Sequence, residues 1–221
     1  MAKKQFVVIG MGRFGQSVAK CLTGLGQEVL AVDTDEALIS EIAPFVTHAV
    51  QADATDEKAL AALGLRNFDV AVVTIGDNIQ ASIMITMLCK EIGIGFVLAK
   101  AQNDLHGKIL YKTGADKVVF PERDMGLRVA HNLADSNILD YIEIAGDLRI
   151  VDVSAEEVWI NKSLAELDLR KKFGVNVIAI KKMNKVMNTV PHGLDVIEKD
   201  DALIVVGSKE SIARLEMATK K

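Results

Sequence analysis

The sequence predicts an α/β fold: a Rossmann-type doubly wound parallel sheet followed by a small C-terminal α+β domain. Three observations predict it. Strand and helix patterns alternate from residue 6 to residue 134, the run Gly10-Met11-Gly12-Arg13-Phe14-Gly15 stands between the first strand and the first helix, and near residue 138 the alternation gives way to strand-rich segments with two short helices.

Strands at 6–9, 28–32 and 47–50, joined by helices at 14–25 and 36–42, make a βαβαβ unit. It continues through a helix at 57–63, a strand at 70–74, a helix at 78–91, a strand at 96–99, a helix at 105–112, a strand at 117–120 and a helix at 122–134. These strands are short, β-branched and almost free of polar alternation, the pattern of parallel strands buried on both faces, so helices should cover both sides of the sheet. Beyond Asp140, strands at 141–145, 149–153, 176–181 and 202–206 accompany helices at 163–172 and 209–218. The expected division is a nucleotide-binding domain at 1–138 and an α+β ligand-binding domain at 139–221.

Composition narrows the class. With 221 residues, 50% of them hydrophobic, 25% charged and only three prolines, the chain can build ordinary packed cores. A formal net charge of -4 argues against a nucleic-acid binder, which would show a basic face to phosphates. The pairs Lys171-Lys172 and Lys181-Lys182 read as solvated surface. No apolar run approaches the roughly 20 residues that span a bilayer, and no cleavable leader pattern opens the chain, so a cytoplasmic protein without membrane insertion is expected. Cys21 and Cys89 each sit inside an apolar helical pattern and are expected to be buried, reduced and structural.

The glycine run has the context its chemistry requires, since strand 6–9 precedes it and an amphipathic helix follows. Gly10 permits the tight turn, Gly12 lets the backbone approach phosphate oxygens, and Gly15 lets helix and strand pack closely. Phosphates would then sit on the helix N-terminus, along the Gly10, Met11, Gly12, Arg13, Phe14, Gly15 loop. Asp33 ends the second strand eighteen residues after Gly15, with Thr34 beside it, and is placed to accept from both ribose hydroxyls. Asp35 is expected to cap the following helix, and the two acids together disfavour a 2′-phosphate. Arg13 opposes the helix dipole unless an anion is nearby, which suits a terminal phosphate of ADP or ATP as well as the pyrophosphate of NAD. Asp53-Ala54-Thr55 should border the adenine and Thr74-Ile75-Gly76 the ribose or phosphates, with Thr55 also able to cap the next helix.

A catalyst does not assemble. His48, His106, His131 and His192 lie at spacings that build neither a dyad nor a metal site, and no nucleophile elbow, P-loop or H-E-x-x-H occurs. The nucleotide therefore reads as a signal and the protein as no enzyme. The alternative is a small NAD-dependent oxidoreductase or NAD(H) redox sensor, which needs a general acid or base beside the nicotinamide. A redox-sensing transcription factor would need a basic recognition helix.

Longer stretches carry a resemblance. Val8-Ile9-Gly10-Met11-Gly12-Arg13-Phe14-Gly15, Asp53-Ala54-Thr55-Asp56, Gly64-Leu65-Arg66-Asn67-Phe68-Asp69, Asn78-Ile79-Gln80-Ala81-Ser82, Lys100-Ala101-Gln102-Asn103 and Phe120-Pro121-Glu122-Arg123-Asp124-Met125 resemble the RCK (KTN/TrkA-N) domain family over residues 5–137. Residues 140–217 resemble an RCK-C domain more loosely, and the whole chain is similar to cytosolic regulatory subunits of Ktr/Trk-type potassium uptake systems. The resemblance implies homodimers that assemble into an octameric ring against a membrane potassium-translocating subunit, so that the protein is cytoplasmic and peripherally associated with the cell membrane. It implies ADP and ATP competing for the glycine-loop site, with Arg13 on the terminal phosphate, Asp33 on the ribose and Lys100 near the phosphates. Glu122 would help hold a divalent cation, Mg²⁺ or Ca²⁺, near the γ-phosphate. It also implies cyclic di-AMP between two protomers at Arg170, Phe173, Val175, Asn176, Val177 and Pro191. On the residues alone, that set reads equally as the capping and packing of a turn at Gly174.

Overall fold

The computed structural model describes residues 3–134, 138–183 and 186–219, and the chain divides into two compact units, Met1–Arg123 and Asp124–Lys221. The division falls inside a helix, Pro121–Ala134.

In the first unit the chain runs β1 (Gln5–Ile9), α1 (Arg13–Gly24), β2 (Glu28–Asp33), α2 (Glu36–Ile42), β3 (His48–Gln51), α3 (Glu57–Ala62), β4 (Val70–Val73), α4 (Ile79–Ile92), β5 (Phe96–Lys100), α5 (Asp104–Lys112) and β6 (Lys117–Val119), after which α6 (Pro121–Ala134) begins. All strand pairs are parallel, in the order β3-β2-β1-β4-β5-β6. The order reverses between β1 and β4, which in such sheets opens a crevice at the carboxyl ends of the strands. Ile9 lies level with Val32 of β2 and Val73 of β4, so the three strands end together and their loops meet at one edge.

Alternate β1 residues face opposite cores. Val7 and Ile9 pack with Leu60 of α3, Ile85 and Leu88 of α4 and Leu110 of α5. Val8 packs with Ala19 of α1 and Ile39 and Ile42 of α2. Both faces are therefore covered at the centre, as the continuous apolar strands require. Coverage is incomplete beyond it: on the α1 side, Phe6, Val70, Val72, Leu98 and Val119 line a groove of about 660 Å³ bordered by Phe14, Val18 and Leu22.

The second unit continues with β7 (Ile138–Ala145), β8 (Leu148–Ser154), α7 (Leu164–Leu167), α8 (Leu169–Phe173), β9 (Asn176–Lys181), β10 (Met187–Asn188), β11 (Ala202–Ser208) and α9 (Lys209–Thr219). The sheet is antiparallel in the order β10-β9-β11-β8-β7. Its buried face, with Val151, Val153, Leu203 and Val205, packs on Leu167, Leu169, Ile212 and Leu215 from the helices.

Two sequence expectations are corrected. The helix expected at 163–172 is two short helices, because Asp168 takes a left-handed conformation (φ 46°) between them. Aspartate tolerates that conformation better than most residues, so an apolar pattern alone does not reveal the break. Cys21 is exposed, since α1 buries Gly15 and Ala19 and turns Cys21 to the other side. Cys89 is buried as expected, and burial pushes its thiol up to about 12.

Candidate functional site

The glycine loop is held in place by contacts that leave no room for a side chain at Gly15. Gly10 sits at φ +101°, open to glycine at little cost, and its N–H donates to the Val32 carbonyl at 2.8 Å. Thr74 locks the loop from β4: its N–H donates to the Ile9 carbonyl at 2.8 Å and its hydroxyl to the Gly10 carbonyl at 2.6 Å. A Cβ on Gly15 would lie 1.9 Å from the Gly10 carbonyl oxygen, so α1 can approach β1 only with glycine there. A Cβ on Gly12 would meet nothing within 4 Å, because Gly12 faces open space. Gly12 is also the N-cap of α1, with no side-chain cap and no acid in the first turn, so the free N–H groups and the positive end of the helix await an anion.

That open space is a cavity of about 500 Å³, within the range of small-molecule sites. Gly10, Gly12, Asp33, Thr34, Asp53, Ala54, Thr55, Thr74, Ile75 and Gly76 all line it, so ten of the expected nucleotide residues converge. Asp35, Asp77 and Asn78 also line it, with Leu38 and Ile85 as apolar wall. Of these five, sequence reasoning set only Asp35 beside the ribose and did not place the other four in the site. Asn78 carried the one available signal, as the N-cap of α4 directly after the Thr74-Ile75-Gly76 loop.

The Asp33 carboxylate accepts from the Met11 N–H and, at 2.9 Å, from the Asp35 N–H. It is thereby fixed at the cavity wall with lone pairs to spare for hydroxyl donors. The Met11 N–H is consumed by this contact and the Met11 side chain is buried in the core. Asp53 accepts from the Thr55 N–H (2.9 Å) and hydroxyl (2.7 Å), and the hydroxyl contact above all holds its carboxyl below the usual range. Asp56 caps α3 through the Lys58 N–H at 2.8 Å, so Thr55 is not the cap. Asp35 caps α2 as expected, accepting from the Ala37 N–H. Four aspartates and no lysine or arginine line the cavity, a field that favours hydroxyl donors and opposes a 2′-phosphate.

The expected cations stand at its border. Arg13 opens α1, exposed, and its guanidinium has no partner among the described residues. Lys100, at the end of β5, lies 3.4 Å from where a Gly76 Cβ would be, and its ammonium bonds the Glu122 carboxylate in the first turn of α6. That hydrogen bond is the main reason the Glu122 carboxyl titrates below its usual range. Phe14 points to the groove on the sheet face instead of the cavity.

In the second unit, Arg170 and Phe173 of α8 and Val175, Asn176 and Val177 at the start of β9 share one turn, with Gly174 at φ +77°. Arg170 and Asn176 are exposed, while Val175 is wholly buried in the core and offers no wall to a ligand within the chain. Pro191 belongs to the segment between β10 and β11.

Among the described residues no acid–base pair forms around the histidines. His48 and His192 are exposed, and the His131 side chain lies outside the described residues. His106 is buried, its Nδ1 accepting from the Gln102 N–H, and burial lowers its pKa. Among the described residues no cluster of three or more His, Cys, Asp or Glu could hold a metal ion, and no helix is long and apolar enough to cross a membrane.

Comparison with known proteins follows the same division. Residues 6–121 match the TrkA-N domain and residues 148–220 the TrkA-C domain. The chain is 48% identical over 214 residues to the Ktr system potassium uptake protein C of Bacillus subtilis, covering 97% of this chain and 96% of that one. It is 44% identical to the Ktr system potassium uptake protein A of the same organism, covering 96% of each chain. The crystal structure of the GsuK RCK domain has the same fold, with a TM-score of 0.69 at 16% identity, over 100% of this chain and 48% of that one.

Proposed function

The chain belongs to the family of paired TrkA-N and TrkA-C domain proteins that includes the Ktr potassium uptake proteins, and from that premise we propose that it is a nucleotide-gated regulatory subunit of a Ktr-type system. One observation carries the reading: a glycine loop, an uncapped helix N-terminus and a fixed Asp33 carboxylate converge on a single 500 Å³ cavity. The kinship with the Ktr potassium uptake proteins supports a ligand that acts as an effector and a protein that is not an enzyme.

The ligand is ADP or ATP. Asp33 accepts from the ribose hydroxyls, the Asp53–Thr55 loop borders the adenine, and the diphosphate lies over Gly12. Arg13, unpartnered and exposed, reaches a terminal phosphate, and Lys100 stands beside the Gly76 loop to meet the same charge. A divalent cation at that phosphate would take Glu122 as its protein carboxylate and draw its remaining oxygen ligands from phosphate and water, a donor set that suits Mg²⁺ or Ca²⁺. Binding is read out by a membrane potassium-translocating subunit, through homodimers closed into an octameric ring in the cytoplasm. Nucleotide shifts the ring only to the extent that it binds one ring state better than the other. Exposed Arg170 and Asn176, on the α8–β9 turn, support a second effector, cyclic di-AMP, held there between two protomers.

Calorimetry on the full chain tests the nucleotide reading. Saturable binding of ADP and ATP, with NADH weaker, is the expected result, and tight NADH binding with neither ADP nor ATP bound would overturn it.

A further inference from the structure

The second unit contains a cleft, remote in sequence from the nucleotide loop, that shares only Phe173 with the residues named above for cyclic di-AMP. It lies where the turn Glu157–Trp159, helices α7 and α8 and the end of α9 meet, and it encloses about 180 Å³. Its floor is apolar: Trp159, Leu167 and Leu169, each at most 6% exposed, with the Phe173 ring beside them. Its rim is cationic. Lys162 and Lys172 line it; the Lys162 ammonium acts electrostatically on the Glu166 carboxylate, and the Lys172 ammonium makes no hydrogen bond or ion pair among the described residues.

Glu166 also lines the cleft, but its carboxylate is turned to the Ser163 N–H (2.7 Å) and hydroxyl (2.8 Å), closing the capping box of α7. Two ammonium groups against one carboxylate leave a single net positive charge. The Trp159 indole N–H adds a neutral donor. It meets no acceptor among the described residues, and the residue is 6% exposed.

An apolar floor that carries a buried indole and a half-buried phenyl ring, with ammonium groups at its lip, has a definite chemical complement. The rings stack on a planar apolar body, and the ammonium groups and indole N–H take a carboxylate. The volume falls below the roughly 300 Å³ of ordinary ligand sites, so the occupant is about the size of one ring. We propose that this cleft binds a small aromatic monocarboxylate, giving the second unit an effector site besides the one proposed at the α8–β9 turn.

Trp159 is the only tryptophan in the chain, so its emission reports this cleft alone. Phenylacetate, titrated into the full chain, should shift that emission saturably. Phenylacetamide, which has the same ring and no charge, should bind roughly tenfold more weakly, the scale of losing one charge-assisted hydrogen bond. Lys162→Gln and Lys172→Gln replace exposed side chains, and each should weaken phenylacetate severalfold while leaving phenylacetamide unchanged, with far-ultraviolet circular dichroism verifying the fold. The proposal fails if phenylacetate gives no saturable shift, if phenylacetamide binds equally well, or if both lysine variants bind phenylacetate as the parent does. None of these results depends on whether the first unit binds nucleotide.

Discussion

Gly12 and Gly15 stand three residues apart in one loop and should respond to the same substitution in opposite ways. Gly15→Ala drives a methyl to 1.9 Å from the Gly10 carbonyl, backbone against backbone, with no flexible group to yield. The expected loss is about 3 kcal/mol of unfolding free energy, read from the urea midpoint, with nucleotide binding lost as well. Gly12→Ala meets nothing within 4 Å and already has φ -64°, so stability should stay within about 0.5 kcal/mol. The new methyl stands over the uncapped helix end, however, and should weaken ADP at least tenfold by calorimetry. Glu122 offers a second residue-level test. Its pKa is depressed in the fold, first by the Lys100 hydrogen bond, so the pair contributes above the ordinary carboxyl value of 4.5 and is lost as pH falls through the lowered one. A carbon-detected NMR titration should place the Glu122 midpoint below 4.5, and Lys100→Met should return it toward that value. The glycine pattern was legible from sequence because its spacing is local. The pairing of Lys100 with Glu122 was not, since the two are 22 residues apart and meet only once β5 and β6 are adjacent.

At the scale of elements, Asp116 joins a helix to the sheet. Its carboxylate accepts from the Val97 N–H of β5 at 2.7 Å and from the Lys90 ammonium of α4 at 3.0 Å, just before β6 begins. Asp116→Ala leaves a part-buried backbone donor without its acceptor and should cost about 1–3 kcal/mol in urea unfolding. Asp116→Asn, which can still accept from Val97, should cost less. The Val97 hydrogen bond leads the causes that depress the Asp116 pKa, so this stabilisation is present above the ordinary value of 3.8 and disappears as pH drops through the lowered one. The gap between the variants and the parent should therefore narrow in strong acid. The elements most readable from sequence were the parallel strands, since burial on both faces makes Phe6-Val7-Val8-Ile9 and Val70-Ala71-Val72-Val73 nearly continuous apolar runs. The misread elements were those decided by a single backbone angle or by pairing geometry: the break at Asp168, whose apolar neighbours run through the turn, and the two-residue strand β10, which exists only through its register with β9.

For the whole molecule, the proposed ring makes a claim about mass that the nucleotide site does not. Met84 and Met87 on α4 and Leu105 and Tyr111 on α5 are exposed large side chains, and the groove over Val70, Val72 and Leu98 leaves part of the sheet face bare. A chain with this much uncovered apolar surface is better satisfied in an assembly than alone. Multi-angle light scattering of the full chain should give a mass near eight times 23.9 kDa, with a dimer as the dissociation product on dilution. Nucleotide at 100 times its Kd should stabilise the protein by about 2.7 kcal/mol through linkage alone, whether or not a ring exists. Stabilisation therefore cannot stand in for gating. Gating requires ADP and ATP to favour different ring states, and small-angle scattering should show this as distinct profiles at equal mass and equal saturation. Identical profiles would leave a nucleotide-binding protein with no switch. A 23.9 kDa monomer that still binds ADP would remove the ring and leave the site intact.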